Sequence, residues 1–260
     1  MTRRTLVVTA VAAEADSVAG GLAIPWPGAG TSPLPGGYVL RRHTGPATHP
    51  AVDGPVVDVL VAGVGPAAAA AATSTALAHA TALAHPYDLV VSAGIAGGFL
   101  PHAPIGTVVV SDAVVAADLG AQTPDGYLAV EELGFGRSAH PVAPGLAGAV
   151  AEALADGGLR HVVGPVLTVS TVTGTAGRAA ELAGRHPGAA AEAMEGFGVA
   201  EAAAAYGVPV VEIRAVSNAV GPRDRAAWRI GEALAALRHA FQLVGQTLFV
   251  EPEESSSCPS

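Results

Sequence analysis

At 260 residues, 50% hydrophobic and only 4% aromatic, the chain has the material for one aliphatic core of Ala, Val and Leu and falls in the size range of a single α/β domain. Its net charge is −9 and every basic side chain is arginine, so no basic patch is left for nucleic-acid phosphates or anionic lipid, and those partners are excluded. The one cysteine, Cys258, lies in a Glu/Ser/Pro-rich end, which rules out a disulfide framework and a thiolate metal site.

In chain order, 5–11 reads as a strand. Arg3 and Arg4 ahead of Leu6, Val7 and Val8 have the outline of a signal peptide, but Glu14 and Asp16 cut the apolar run short. No stretch approaches the roughly 20 apolar residues of a membrane helix, and a cytoplasmic protein is expected. Residues 13–20 read as a short helix, and 21–55 as an irregular Gly/Pro-rich region with a hairpin around 38–42. A strand at 56–62, a helix at 66–84 with Pro66 in its first turn and a buried strand at 89–93 form a unit whose crossover is parallel and right-handed. A strand over 106–116 bends at Asp112 and precedes a polar loop through 136. Helix 144–155, strand 162–169 and helix 176–185 follow. Gly207 and Pro209 end a helix over 196–206, after which Val210, Val211, Ile213, Ala215 and Val216 form a buried strand carrying Arg214, Ser217 and Asn218 to its carboxyl end. In open α/β sheets that end is where ligands bind. Ile230, Leu234, Leu237, Phe241, Val244 and Leu248 recur at alternating spacings of four and three, the stripe of a last helix packed on the sheet. From 251 the composition favours a disordered tail, leaving 1–250 as one catalytic domain.

Met194 and Glu195 precede the Ala-rich helix, so the Glu195 carboxylate sits at a helix N-terminus, where the macrodipole favours its ionised form. The run AMEGFGVAEAAAAYGVPVVEIRAVSN resembles the Met-Glu…Arg-x-x-Ser-Asp/Asn signature of the nucleoside phosphorylase and nucleosidase superfamily. The extension NAVGPRDRAAW is similar to the futalosine hydrolase branch of that superfamily, which releases hypoxanthine from futalosine in an alternative menaquinone route. Gly63-Val64-Gly65 before an Ala-rich helix, Gly94-Ile95-Ala96-Gly97-Gly98 and Glu14 after the first strand extend the likeness over 5–249. It implies a three-layer α/β sandwich with a central mixed, mostly parallel twisted sheet. It also implies a small-molecule nucleoside substrate, water as co-substrate, no cofactor or metal, and a homo-oligomer, with a dimer favoured.

Glycosidic cleavage of this kind develops positive charge on the sugar, so a site needs an anionic ribose clamp, a positioner of the nucleophile and stabilisation of the leaving group. The resemblance places Glu195 on the ribose hydroxyls and Met194 against the sugar. It makes Glu14 the acid that holds and deprotonates water, a general base contributing on the order of 10² to 10⁴ in rate. A solvated helix start is the plainer role for Glu14, and Asp16 is the weaker substitute for it as the water-holding acid. Arg214 is expected to position water and ribose. The competing ion pair with Glu212 is set aside on the reading that strand neighbours point to opposite faces.

Adenine-selective members of the superfamily carry Asp where this chain has Asn218. An amide cannot act as an acid near neutral pH but can donate to a 6-oxo group and pair with N7, which favours hypoxanthine. The leaving-group proton then needs another source. Asp224 is one, unless it pairs with Arg223 or Arg225. These two arginines and Trp228 suit an aromatic carboxylate on the 5′ extension of the substrate, against the plainer reading of a solvated charged turn. The loop of Ile95, Ala96 and Gly97 is expected beside sugar and base, with Ser217 at the carboxyl end of the strand that begins at Val210. Ser170, Thr171, Thr173 and Thr175 form a polar edge for the purine. Ile95 in place of the common Ser or Thr, and the lack of a Gly-Asp-Pro-x-Arg loop, disfavour phosphorolysis.

Two other readings stay open. Gly63-Val64-Gly65-Pro66-Ala67-Ala68 matches the Gly-x-Gly-x-x-Ala of dinucleotide binding, although Asp88 lies at the wrong end of the following strand for the ribose contact. A small-ligand binding protein of similar form would have no use for Glu14 and Glu195. The histidines, among them His43, His49, His79 and His85, show no metal-ligand spacing.

Overall fold

The computed structural model describes residues 3–26, 28–46, 54–247 and 249. In chain order its elements are β1 (Arg4–Thr9), α1 (Ala12–Leu22), β2 (Gly28–Pro33), β3 (Val39–Thr44), β4 (Val56–Val61), α2 (Pro66–Ala82), β5 (Leu89–Gly98), β6 (Val108–Val110), β7 (Ala113–Ala116), β8 (Gly120–Thr123) and β9 (Gly126–Ala129). They continue with β10 (Ala139–Pro141), α3 (Pro144–Asp156), β11 (His161–Val163), β12 (Val166–Thr168), α4 (Ala176–Arg185), β13 (Ala191–Ala193), α5 (Gly196–Ala205), β14 (Val210–Ala219) and α6 (Ile230–Thr247).

Twelve strands make one sheet in the order β10-β7-β12-β13-β5-β1-β4-β3-β2, with β14 paired to β5 and β6, and β11 to β6. Six of its pairings are parallel and five antiparallel. β1 is apolar on both sides. Val7 belongs to the apolar cluster that also holds α1, α3 and α6, while Leu6 and Val8 belong to the one built with α2 and α5, the alternation that makes a strand buried on two faces. The result is the three-layer sandwich. Helices approach closely where side chains are small: a Cβ on Gly21 would lie 3.0 Å from the Gln242 amide of α6. Trp26 secures the same seam, donating its indole N–H to the Gly245 carbonyl at 2.7 Å and meeting Phe249 edge-on. Among the described residues no helix is long and apolar enough to cross a membrane.

Several boundaries differ from the sequence expectation. The 21–55 region holds a full hairpin of β2 and β3 that extends the sheet. β2 was hidden because its residues, Gly-Ala-Gly-Thr-Ser-Pro, are mostly exposed at an edge and show no apolar alternation. The strand expected at 162–169 breaks at Gly164 and Pro165 into β11, which joins β6, and β12, which joins β7 and β13. The polar loop after Ala116 contains the separate β8–β9 hairpin. β5 does not stop at Ala93; it runs on through Gly94-Ile95-Ala96-Gly97-Gly98, so that segment is strand and not loop. The bend at Asp112 is present, between β6 and β7. The tail from 251 lies outside the described residues.

β5 governs where chemistry can occur. It lies between β1 and β14, parallel to both, and its carboxyl end is met from the other side by the short antiparallel β13. Three elements thus present side chains at one end of one strand.

Candidate active site

A cleft of about 280 Å³ opens there, lined among others by Glu14, Ile95, Ala96, Gly97, Glu192, Met194, Glu195, Ser217, Asn218, Arg223 and Trp228. Its floor is organised by Arg214, which is 1% exposed. The guanidinium donates from Nε to Glu212 Oε1 at 2.7 Å, and from Nη2 to Glu195 Oε2 and Ser92 Oγ, both at 3.2 Å. Burial alone would lower its pKa, but the charges of Glu212, Glu195 and Glu14 outweigh that and raise it, so Arg214 is a permanent cation. The ion pair with Glu212 that the sequence reading set aside is therefore real. Residues 212 and 214 are two apart, not adjacent, and project to the same face of β14.

Glu212 is fully buried, and burial raises its pKa against the pull of Arg214. Its Oε2 has no hydrogen-bond partner. Gly196 makes room for it, since a Cβ there would fall 2.5 Å from Glu212 Cδ. Sequence reasoning missed Glu212 as part of the site, although an acid inside a run of Val and Ile was the available signal.

Glu195 occupies the N-cap position of α5, yet its side chain makes no cap bond. The carboxylate turns instead into the cleft. Oε1 accepts from the Gly65 amide at 3.2 Å, and Oε2 accepts from Arg214 and from the Met194 amide at 3.3 Å. Gly63 and Gly65 have φ of 93° and 94°, in the region that favours glycine, which lets this turn aim the Gly65 N–H at Glu195. The Gly-x-Gly element that suggested a dinucleotide thus serves a protein carboxylate.

Glu14 is 4% exposed, not a solvated helix start. Its Oε2 accepts from the Ala10 and Val11 amides at 3.0 and 3.3 Å, closing the first turn of α1. Oε1 accepts from the Ile95 amide at 2.9 Å and shares the space above Gly94 with Arg214 Nη1. Asp16, its weighed substitute, faces away and pairs with Arg41 on β3.

At the other end of the cleft, a bulge between Val216 and Asn218 lets β14 bring Asn218 level with Gly97. Asn218 Oδ1 lies 2.9 Å from Ser217 Oγ, and Nδ2 donates to the Ala219 carbonyl at 3.0 Å. Arg223 and Trp228 line the cleft and stack, 5.5 Å from guanidinium carbon to ring centre. Arg225 lies over the same ring at 5.9 Å but is not a lining residue. Asp224 is exposed and caps the short 3-10 turn Arg225–Ala227 by accepting from the Ala226 amide at 3.1 Å, away from the cleft. Ser170 and Thr171 are exposed and also miss the lining. The Ser170 amide is engaged by Asp118 at 2.7 Å, Thr175 caps α4, and Val172 and Thr173 take the place at the cleft. Glu192, the second acid missed from sequence, also lines it. The three-residue stretch Ala191–Ala193, two alanines around one acid, gives no strand signal, so nothing marked its carboxylate as inward-facing.

A family model described as the phosphorylase superfamily matches residues 7–248. The chain is 61% identical over 236 residues to a futalosine hydrolase of Streptomyces coelicolor, covering 90% of this chain and 92% of that protein. The chain belongs to the futalosine hydrolase family. A second member, from Acidothermus cellulolyticus, is 49% identical over 245 residues, 94% of this chain and 91% of that one. The solved structure of the Helicobacter pylori futalosine hydrolase superposes with a TM-score of 0.74 at 17% identity, over 95% of this chain and 99% of that one, a likeness of fold alone.

Proposed function

We propose that this chain hydrolyses the N-glycosidic bond of futalosine to dehypoxanthine futalosine and hypoxanthine, with water as nucleophile. The observation that carries the reading is the buried Arg214 with Glu195 and Glu14 held beside it under one cleft. This arrangement keeps two carboxylates on the sugar side of the cleft while Asn218 faces the leaving base.

In this mechanism Glu195, oriented by Gly65 and Arg214, holds the ribose hydroxyls and stabilises oxocarbenium charge, with Met194 against the sugar. Glu14 positions a water molecule with Arg214 and removes its proton as the oxygen bonds C1′. Hydroxide goes to C1′, the proton to Glu14, and the glycosidic electron pair leaves on the purine, which takes its proton from solvent. Asn218 donates to the 6-oxo and N7 edge, and Ile95, Ala96, Gly97 and Ser217 border base and sugar. Asp224, fixed as a turn cap, has no part in the step, and neither do Ser170 and Thr171. Arg223, stacked on Trp228 at the open end, is the anchor for the aromatic carboxylate of the substrate. Family membership also supports a cytoplasmic enzyme working without a cofactor, and a homodimer, the last of which light scattering on the purified protein tests.

The test is chromatographic detection of free base from futalosine, aminofutalosine, inosine and methylthioadenosine, each with and without phosphate. Phosphate-independent release of hypoxanthine from futalosine is expected. Preference for the adenine nucleosides, or dependence on phosphate, would overturn the assignment in favour of another nucleosidase or a phosphorylase of the superfamily.

A further inference from the structure

Glu192 is 6% exposed and lines the cleft, yet no step above uses it. Among the described residues its hydrogen bonds come from one residue: the Thr173 amide donates to Oε1 at 2.8 Å and the Thr173 hydroxyl to Oε2. Among the described residues it has no ion-pair partner. A carboxylate has about four acceptor sites, so the pair of bonds from Thr173 fixes the head and leaves acceptor capacity on both oxygens. Burying such a group without a counter-charge costs free energy that packing does not return.

Its place in the sheet is informative. Glu192 on β13 is in register with Gly97 on β5, and Asn218 on β14 is in register with the same glycine from the other side. Residues in register on adjacent strands project to the same face. A Cβ on Gly97 would lie 3.3 Å from Asn218 Nδ2, so the amide stands over that glycine. The carboxylate and the amide therefore approach the same glycine from its two neighbouring strands, with Val220 packed against that glycine as well.

We propose that Glu192 is a specificity-determining residue that accepts the N1–H of a 6-oxopurine. The inference rests on the nucleoside hydrolysis proposed above and names the group that selects the base. Hypoxanthine offers a donor at N1 and an acceptor at O6; adenine offers a lone pair at N1 and a donor at N6. A carboxylate at N1 accepts from the first and repels the second. Together with Asn218 at the O6 and N7 edge, it makes the selection depend on two elements, β13 and β14, so that exchanging Asn218 alone gives only part of the adenine preference.

The experiment has two arms. In calorimetry on the native protein, hypoxanthine is expected to bind on the order of 10- to 100-fold more tightly than 1-methylhypoxanthine or adenine, the range for losing one hydrogen bond to a charged group. In kinetics, Glu192→Gln is expected to lower kcat/KM for futalosine by a similar factor, mainly through KM, and to narrow the ratio of futalosine to aminofutalosine, because an amide can donate to adenine N1. A merely structural role would lower both substrates equally. Equal binding of hypoxanthine and its 1-methyl derivative, or an unchanged substrate ratio in a folded Glu192→Gln, overturns the proposal. The first arm needs no turnover and no variant. If native protein failed to cleave futalosine yet still discriminated the bases, the hydrolase reading would fall and the N1 contact would stand.

Discussion

Gly94→Ala adds one methyl group at the most crowded point of the site. Gly94 lies in register with Arg214 across β5 and β14, and its ideal Cβ would fall 2.9 Å from Glu14 Cδ, 2.5 Å from Arg214 Nη1 and nearer still to Glu14 Oε1. Carbon atoms in comfortable contact are ~3.5–4.0 Å apart, so the Glu14 head or the guanidinium must retreat by about 1 Å. Gly94 is not among the glycines with positive φ, so the backbone accepts alanine and the effect is steric. Misplacing a catalytic group by that distance costs about 10²-fold in rate, and overpacking costs about 1–3 kcal/mol of stability. The expected result is a fall of about two decades in kcat for futalosine, little change in KM and a melting point lowered by a few degrees. Gly148→Ala on α3 is the control, since its Cβ would meet nothing within 4 Å, and it is expected to keep full activity. A folded Gly94→Ala with kcat within threefold of native would refute the placement of Glu14 and Arg214 as the nucleophile's seat.

Other expectations follow from the same geometry. Arg214→Met leaves Glu212 and Glu195 buried without their counter-charge and is expected to cost about 3–5 kcal/mol in chemical denaturation; a loss under 1 kcal/mol would show that the three carboxylates do not depend on it. Asn218→Asp should raise the rate on aminofutalosine relative to futalosine, read by base release from equimolar mixtures, and an unchanged ratio would remove Asn218 from base reading. Asp58 is fully buried between Arg42, at 2.8 and 2.9 Å, and the Tyr87 hydroxyl at 2.7 Å. Asp58→Ala should therefore destabilise by about 3–5 kcal/mol with activity per folded molecule unchanged. Burial raises the pKa of Glu192, so the folded chain holds that proton more tightly than the unfolded one, and stability drains away as pH climbs from the ordinary value of 4.5 through the raised one. Urea midpoints of Glu192→Gln should fall less than native between pH 4.5 and pH 7, and parallel curves would contradict the raised pKa.

What could be read from the sequence follows from what each residue reports locally. Glu14, Met194, Glu195, Arg214 and Asn218 stand next to strong strand or helix signals, and the structure brings them to one cleft. Helix α6 announced itself by its stripe. β13 did not, because three residues held by β5 and β12 need no propensity of their own. Its Glu192 stayed hidden with it. Asp224 and Ser170 looked functional because polar residues near a site signature do, but Asp224 caps a turn and Ser170, held through its backbone amide by Asp118, does not line the cleft. Neither role is visible until the chain is folded. The Glu212 error was one of counting: a spacing of two on a strand returns the side chain to the same face.

At the cleft the carboxylates of Glu14 and Glu195 share the one guanidinium of Arg214, so the seat of the nucleophile carries an excess of negative charge. That imbalance sorts incoming molecules. An anion such as phosphate, 5 Å from a carboxylate at an effective dielectric of 20, meets a repulsion of about 3 kcal/mol per unit charge pair, and it meets more than one such group. Water pays no such penalty, and the ribosyl cation formed opposite it is attracted by the same field. One arrangement of charge thus stabilises the intermediate and restricts what is allowed to trap it.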